Sequence, residues 1–269
     1  MAIAEISLFN EEPIYCLRPK EATYLAGEVN EYLTHGIRLK PGDTVFDVGA
    51  NIGMFSLWVC RQCQNDVTVY AFEPIPALVE VLRLNAQRFA PGRLHVMPFG
   101  LSHTPHTAPF TFYPKATVWS TAYPGLAYQE RGQTKQATLT SLETAPRWVR
   151  WVPVKIWSAL IDVVLNQVMR KTQTVVCQVR TLSEVIDEQQ VATIDLLKVD
   201  VEHGELDVLR GMADRHWPMI RQVVMEVHAI EDRLEQVTTL LREQGFSQVI
   251  TDQQGVLKGT NIYMLYAIR

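Results

Sequence analysis

The stretch TVFDVGANIGMF, residues 44–55, joins an apolar run to a turn that contains two glycines and an asparagine. The run TVFDV has the β-branched and apolar character of a buried strand, and the residues that follow, MFSLWVCRQC, return to helical spacing. Gly49 and Gly53 let the backbone turn sharply and allow a ligand to approach main-chain N–H groups. The stretch therefore predicts a strand, a tight turn and a helix.

The same alternation of strand and helix continues along the chain. Further strands are predicted at VTVYAFEP (67–74), LHVMPFGLS (94–102), IDLLKVDV (194–201) and RQVVMEVH (221–228), and an antiparallel pair at FSQVI (246–250) and NIYMLYAI (261–268). Helices are predicted at 21–37, 75–88, around GELDVLRGM (204–212) and at 230–245, with a β-ribbon in the Thr/Pro-rich stretch after residue 102. This pattern predicts an α/β protein whose mostly parallel sheet is covered on both faces.

Composition limits the classes of protein that fit. With 269 residues, of which 47% are apolar, a single domain over 1–269 is expected, and the net charge of −4 gives no attraction for nucleic acid. The cysteines are too few and too scattered for a disulfide framework, and no run of about 20 uncharged apolar residues predicts a membrane span. We expect a cytoplasmic protein without a transmembrane segment. The four cysteines are Cys16, Cys60, Cys63 and Cys177.

Four acidic residues follow or end predicted strands: Asp47, Glu73, Asp200 and Glu226. Ligands of parallel sheets bind beyond the carboxyl ends of the strands, so these side chains mark one edge as the expected active site. Their mutual repulsion has to be offset there by ligands, hydrogen bonds or protons.

The spacing of the glycine turn suggests which ligand it binds. A dinucleotide loop reads G-x-G-x-x-G, but this turn reads D-x-G-x-N-x-G, with an aspartate that suits a cation better than a phosphate. Glu73 lies 20 residues beyond Gly53, at the end of the second strand, where a carboxylate can bind both hydroxyls of a ribose. A ribose, a cationic tail and no phosphate indicate S-adenosylmethionine. A purely structural turn is the alternative.

Several motifs in order resemble one enzyme family. FDVGANIGMFSLW, VYAFEPIPALVEVLRLNAQ, RTLSEV and IDLLKVDVEHGELDVLRGM resemble the FkbM family of S-adenosylmethionine-dependent O-methyltransferases, and EATYLAGEVNEYLTHGI resembles the leading helix of members associated with polyketide and nonribosomal peptide assembly. The resemblance implies a Rossmann-like class I methyltransferase fold. Its sheet would have seven mostly parallel strands and an antiparallel C-terminal strand, with helices on both faces and a helical insertion.

The resemblance also assigns cofactor contacts. The turn would line the methionine side, the second strand would end at the ribose, and the end of the third strand would lie against the adenine. The positions implied are Asp47, Gly49, Asn51, Gly53, Glu73, Pro74, Gly100 and Leu101. The chain departs from the family where D-V-E-G is usual, because His203 stands between Glu202 and Gly204.

Deprotonation of a hydroxyl nucleophile requires a base near the methyl group. In an extended strand residues i and i+2 share a face, which pairs Asp200 with Glu202 and Glu226 with His228. His203 and His228 are the candidate bases, because an unperturbed imidazole titrates near ~6.5. Glu226 could orient the imidazole. The alternative, not favoured, is Mg²⁺ or Ca²⁺ bound by Asp200, Glu202, Glu226 and one histidine.

One apolar segment, RWVRWVPVKIWSALIDVVLNQVMRK at 147–171, lies outside the resemblance. It predicts an amphipathic helix within an insertion, 111–175, between the third and fourth strands, just as residues 1–40 form a helical lead-in. Three roles are open: a lid over the acceptor pocket, a homodimer surface, or a helix lying in a membrane surface. Its basic residues could also dock an acidic acyl or peptidyl carrier protein. They are Arg147, Arg150, Lys155, Arg170 and Lys171.

The predicted function is therefore O-methylation of a hydroxyl on a specialised metabolite of the polyketide or peptide type, free or carrier-bound. A sugar or lipid hydroxyl is the nearest alternative. From other classes, a nicotinamide-dependent oxidoreductase and a noncatalytic binding module remain.

Overall fold

A computed structural model describes residues 2–8, 13–129, 131–142, 151–253 and 257–269. The strands are β1 (Ala4–Ile6), β2 (Ile14–Cys16), β3 (Asp43–Val48), β4 (Val67–Phe72), β5 (Leu94–Met97), β6 (Gly100–Leu101), β7 (His106–Phe112), β8 (Gln173–Arg180), β9 (Leu196–Val199), β10 (Gln222–His228), β11 (Gln248–Asp252) and β12 (Ile262–Ile268). The α-helices are α1 (Pro19–Glu28), α2 (Met54–Gln62), α3 (Pro76–Phe89), α4 (Pro124–Gln129), α5 (Arg131–Ser141), α6 (Val154–Arg170), α7 (Leu182–Gln189), α8 (Glu205–Arg210) and α9 (Arg233–Glu243).

The central sheet has seven strands in the order β11-β12-β10-β9-β3-β4-β5. β5, β4, β3, β9 and β10 pair in parallel, whereas β12 is antiparallel to both β10 and β11. The sheet therefore confirms the Rossmann-like class I methyltransferase fold, including its antiparallel C-terminal strand. Because β3 and β9 are adjacent although distant in sequence, residues near 48 and 200 meet at one edge.

Apolar residues cover both faces of this sheet. Neighbouring residues of one strand point to opposite faces, so Val45 belongs to one buried cluster and Phe46 to the other. Leu196 and Leu197 of β9 divide in the same way. α2 and α3 pack on the first face, while α7, α8 and α9 pack on the second. The core on both sides fixes the strand ends that carry the polar site.

The predicted third strand is interrupted. β5 ends at Met97, and Gly100 and Leu101 form β6, which pairs in parallel with β8 in a second sheet of order β6-β8-β7. Pro98 lies at this break, and proline has no N–H for a strand ladder. The expectation that Gly100 and Leu101 end the third strand was wrong. The predicted β-ribbon is present as β7, whose partner is β8.

The helices of the N-terminal lead-in and of the insertion differ partly from expectation. The leading helix was predicted over 21–37, but α1 ends at Glu28 and continues as a 3₁₀ helix over Val29–Leu33. Between β7 and β8 the chain forms α4, α5 and α6. Arg147 and Arg150 lie outside the described residues. Within the described ranges, no helix combines the length and the apolar character needed to cross a bilayer.

Candidate active site

A cavity of about 690 Å³ opens at the carboxyl edge of the central sheet. This volume lies within the range of roughly 300–1,000 Å³ that is common for small-molecule and cofactor sites. The residues after β3, β4, β9 and β10 form its floor, while α1, α6 and residues 113–123 form its walls. The predicted edge therefore lines one open cavity.

The turn after β3 depends on glycine. Gly49 has a φ of 83°, and a Cβ atom there would lie 1.8 Å from the carbonyl oxygen of Asp200. Asn51 also has a positive φ, 52°, a conformation that asparagine tolerates better than most residues. The close approach of β3 and β9 thus excludes a side chain at Gly49. The backbone of the turn faces the cavity.

Glu73 lies on the cavity wall just after β4, with 5% of its surface exposed. Its Oε2 accepts from the backbone N–H of Asn51 at 3.0 Å, and its Oε1 accepts from Ile75 at 2.8 Å. Burial raises the pKa of Glu73 to about 7, although both backbone hydrogen bonds oppose the shift. A carboxylate offers about four acceptor sites, so Glu73 can accept further hydroxyl donors from a ligand.

Lys198 is buried within β9 and joins the ends of β3 and β9. Its Nζ lies 3.1 Å from Asp47 Oδ1 and 3.4 Å from Asp200 Oδ2, and it donates to the Gly49 carbonyl at 3.1 Å. Burial lowers the pKa of Lys198, but the two carboxylates outweigh this effect and hold the pKa above its ordinary value. The ammonium is therefore charged and paired with both carboxylates.

Asp47 and Asp200 differ in exposure. Asp47 is fully buried, and its Oδ2 accepts from the Ser56 hydroxyl at 2.6 Å, so it lies behind the cavity wall. Asp200 lines the cavity and accepts from the Tyr32 hydroxyl at 2.8 Å. The arrangement places Asp200, and not Asp47, beside a ligand.

Three more carboxylates line the same part of the cavity: Glu28, Glu202 and Glu226. Burial and then the charge of Asp200 raise the pKa of Glu226 well above its ordinary value. Burial also raises the pKa of Glu28 to about 7, against a hydrogen bond from Tyr24. The wall therefore holds carboxyl groups that keep their protons to a higher pH than ordinary glutamates do.

His228 ends β10 between two carboxylates. Its Nδ1 lies 2.6 Å from Glu205 Oε1, and its Nε2 lies 3.4 Å from Glu202 Oε2. Burial lowers the pKa of His228, but the hydrogen bonds to Glu202 and Glu205 raise it further and hold it well above its usual range. A charged imidazolium cannot accept a proton, so the expectation of an unperturbed imidazole at this position was wrong.

His203 occupies a different environment. It is buried, lies outside the cavity wall, and packs against the His228 ring with centroids 4.3 Å apart. Burial and the charges of His228 and Arg233 lower the pKa of His203 to about 3. Such an imidazole is too weak a base for proton transfer at neutral pH, and its predicted unperturbed pKa was also wrong.

The structure brings most of the predicted site residues together. Those that line the cavity are Gly49, Asn51, Glu73, Pro74, Gly100, Leu101, Asp200, Glu202, Glu226 and His228. Asp47, Gly53 and His203, all among the described residues, lie behind its wall. Glu202 reaches the site from a turn after β9 and not from an extended strand as predicted.

Sequence reasoning missed the polar face of the leading helix and the partner of His228. Tyr24, Glu28 and Tyr32 line the cavity at intervals of four residues, the spacing of one helix face. That spacing could have identified them, but only the helix itself was predicted there. Glu205 is fully buried and follows the D-V-E-H-G motif, where the sequence gives no sign of its contact with His228.

A family model described as the methyltransferase FkbM domain matches residues 47–247. The chain belongs to the FkbM methyltransferase family. The match spans the glycine turn, Glu73 and the acidic residues at the ends of β9 and β10, so the matched region of this FkbM-type methyltransferase includes the residues that line the cavity.

Named relatives agree with the FkbM assignment. The chain is 39% identical over 253 residues to the 31-O-demethyl-FK506 methyltransferase FkbM of Streptomyces tacrolimicus, covering 93% of this chain and 90% of that protein. It is 33% identical over 274 residues to the AMB antimetabolite synthetase AmbE of Pseudomonas aeruginosa, covering 98% of this chain and 12% of AmbE. This enzyme therefore has relatives in natural product biosynthesis.

A solved structure is similar in fold. The crystal structure of the methyltransferase FkbM from Methylobacillus flagellatus aligns with a TM-score of 0.54 and 13% identity, covering 92% of this chain and 58% of that chain. At this level of identity the similarity concerns the fold alone.

Proposed function

We propose that this FkbM-type methyltransferase transfers a methyl group from S-adenosylmethionine to a hydroxyl of a specialised metabolite. One observation carries the proposal: Glu73 and the wall of Glu28, Asp200 and Glu226 line the same cavity. Glu73 suits the hydroxyls of a ribose. The acidic wall suits a cationic sulfonium next to a hydroxyl that has to lose its proton.

The residues fit the cofactor in shape and charge. Glu73 would hold the ribose hydroxyls, the turn at Gly49 and Asn51 would approach the methionine portion, and Gly100 and Leu101 would contact the adenine. Asp200 would attract the positive end of the ligand. A pyrophosphate would be repelled by the same carboxylates, which argues against a nicotinamide dinucleotide and an oxidoreductase.

When bound, S-adenosylmethionine supplies an electrophilic methyl group on a sulfonium. Transfer forms a bond between the acceptor oxygen and the methyl carbon while the bond from carbon to sulfur breaks, and the sulfonium becomes a neutral thioether. The hydroxyl proton needs an acceptor on the protein. Glu28 is placed for this role, because its pKa of about 7 leaves part of it ionised at neutral pH and it lines the cavity.

Asp200 has a positioning role in this scheme. Lys198 and Tyr32 both bind it, so its carboxylate is held against the cavity floor. Orientation of the acceptor by a fixed carboxylate is worth a large part of a methyl-transfer barrier. Asp47 contacts Lys198 and does not line the cavity, so it acts on Asp200 only through Lys198.

The acceptor class is inferred from the cavity wall and from the relatives. α6 contributes Leu165 and Met169, which supports its role as a wall over an apolar acceptor. The Streptomyces relative is named a methyltransferase of 31-O-demethyl-FK506, and AmbE is named an antimetabolite synthetase. We therefore propose a polyketide or peptide hydroxyl, free or attached to a carrier protein.

Docking and self-association also concern α6. On the side away from the cavity it exposes Ile156, Leu160, Val163 and Val164, near the basic residues Lys155 and Arg170. This face suits an acidic carrier protein or a second copy of the chain, and both remain proposals.

Calorimetry with S-adenosylhomocysteine tests the cofactor assignment. We expect binding to the unmodified protein, and at least about tenfold weaker binding to Glu73→Gln, because charged hydrogen bonds contribute about 1.5–3 kcal/mol. The exposed Glu80→Gln on α3 is the matched control and should bind normally. Equal affinities for both variants, or uptake of NAD in place of the nucleoside, would refute the proposal.

A methyl-transfer assay tests the acceptor class. Labelled S-adenosylmethionine is supplied with a panel of macrolide alcohols, sugars and carrier-bound acyl chains. Methylation of the macrolide or carrier-bound hydroxyls is the expected result. Transfer to the sugars alone would change the substrate class while leaving the cofactor assignment intact.

A further inference from the structure

We infer that Glu202, His203 and His228 form a binding site for a divalent transition-metal ion in the wall of the acceptor cavity. The role of the ion, which is to hold the acceptor oxygen, rests on the proposed function. The site itself follows from the geometry of these three side chains and of Glu205.

One ligand atom from each of the three residues lies within 4.8 Å of the others. Ligand atoms around one tetrahedral ion lie about 3.5 Å apart when their bonds to the metal are about 2.1 Å long. The pair of His228 Nε2 and Glu202 Oε2 is already at 3.4 Å. Small rotations of the side chains are therefore sufficient to close the set around an ion.

The second nitrogen of His228 is held as metal-binding histidines require. Its Nδ1 lies 2.6 Å from Oε1 of the fully buried Glu205, whose Oε2 accepts from Arg233 at 3.0 Å. A carboxylate behind a ligating imidazole fixes the ring and raises its basicity toward the metal. Glu205 Oε1 also accepts from the backbone N–H of His203 at 3.1 Å, so one carboxylate orients both histidines.

The donor set selects the kind of ion. Two imidazole nitrogens and one carboxylate suit Zn²⁺, Fe²⁺, Mn²⁺ or Co²⁺, whereas Mg²⁺ and Ca²⁺ prefer oxygen ligands. Glu202 and Glu205 bring two negative charges to His228, and Arg233 is bound only to the far side of Glu205. The ion would replace the proton on His228 Nε2, so Glu202 keeps a positive partner when the imidazole becomes a neutral ligand.

The open coordination position faces the cavity. Glu202 and His228 line the cavity, and His203 lies behind it with its backbone held at a φ of 73°. Three protein ligands leave a fourth position for water or substrate. An acceptor hydroxyl bound there would be acidified by the ion and would release its proton to water in the cavity as its oxygen forms the bond to the methyl carbon.

The test uses the purified full chain after treatment with a chelator. Co²⁺ is added and its visible absorption is recorded, and Zn²⁺ binding is measured by calorimetry. We expect one ion per chain. His203→Ala and Glu202→Gln should lose the Co²⁺ spectrum, and Glu205→Gln should bind Zn²⁺ about 10–100-fold more weakly. The control is His106→Ala, a cavity histidine on β7.

The outcomes separate the two proposals. Binding of S-adenosylhomocysteine by each variant shows that it is folded, and this binding does not depend on the metal ligands. If the unmodified chain takes up no Co²⁺ or Zn²⁺, or if His203→Ala and Glu202→Gln bind as well as His106→Ala, the metal site is refuted while the cofactor assignment stands. Metal uptake without nucleoside binding would refute the methyl-transfer proposal instead.

Discussion

Gly49 carries the tightest steric constraint of the cavity floor. The Asp200 carbonyl occupies the space that a Cβ atom would need, and the positive φ adds a second cost. The carbon and the oxygen of this carbonyl both belong to the backbone, which cannot move aside as a flexible side chain can. A substitution of this single residue therefore tests how closely the ends of β3 and β9 approach.

Gly49→Ala should lower the free energy of unfolding by at least about 3 kcal/mol, because it combines backbone strain with overpacking. The matched control is Gly27→Ala on the exposed side of α1, where no atom lies within 4 Å of the new Cβ. That change should stabilise the protein by up to about 1 kcal/mol, since alanine favours helix. Urea denaturation measures both, and similar values for the two variants would contradict the close approach.

The sequence predicted the positions of several site residues because strand ends and glycine turns are local features. Glu73 and Gly49 were found in this way. The pKa values of His203 and His228 could not be predicted, because they depend on burial and on Glu205 and Arg233, which reach the site through packing. The same applies to Asp47, whose place behind the cavity follows from Lys198.

At the scale of elements, α6 joins an apolar cavity wall to an exposed face. Leu165 is 6% exposed and lines the cavity, while the adjacent Val164 is 57% exposed. The apolar pattern of the sequence predicted the helix, and its end at Arg170 agrees with the structure. Polar residues recur along one side of this helix at steps of about four, and nearly every other position is apolar. The pattern therefore left open which apolar side faces the acceptor. The polar residues are Lys155, Ser158, Asp162, Asn166 and Arg170.

Leu165→Ala should raise the KM for the acceptor found in the methyl-transfer assay by roughly tenfold, since a buried leucine contributes about 1.5–3 kcal/mol. Affinity for S-adenosylhomocysteine should remain unchanged, because Leu165 is proposed to contact the acceptor and not the cofactor. Val164→Ala is the neighbouring control and should leave KM unchanged. An equal effect of both variants would show that α6 acts through its outer face.

The boundaries of short elements were harder to predict than their order. β1 and β2 have three residues each, too few to show a periodic pattern, and they were not predicted. The break between β5 and β6 depends on pairing with β8, more than 70 residues later in the chain. The long strands of the central sheet were predicted because their apolar character spans enough residues, whereas β8 and α5, which lie outside that sheet, were not predicted.

At the scale of the whole molecule, burial of carboxyl groups links stability to pH. Glu73 has a pKa of about 7 in the folded chain, against the ordinary 4.5, so the folded state binds more protons. Its contribution to stability is fully present below pH 4.5 and is lost as pH rises through about 7. The mostly parallel sheet was predicted from the alternation of strands and helices, but the order of its strands, which sets this burial, was not.

Comparison of the unmodified chain with Glu73→Gln isolates this effect. From pH 4.5 to about 7, the free energy of unfolding of the unmodified chain should fall relative to that of the variant, since glutamine does not ionise. Urea denaturation at several pH values provides the measurement. A constant difference across this window would mean that Glu73 has an ordinary pKa in the folded protein.

The placement of β12 has a consequence for how the chain acquires its structure. β12 lies between β10 and β11, which precede it in sequence, and it pairs with both. Until residues 262–268 leave the ribosome, β10 has an open hydrogen-bonding edge and β11 has no place in the sheet. Such edges attract other chains during synthesis. Late closure by β12 therefore makes the nascent enzyme a natural client for chaperones.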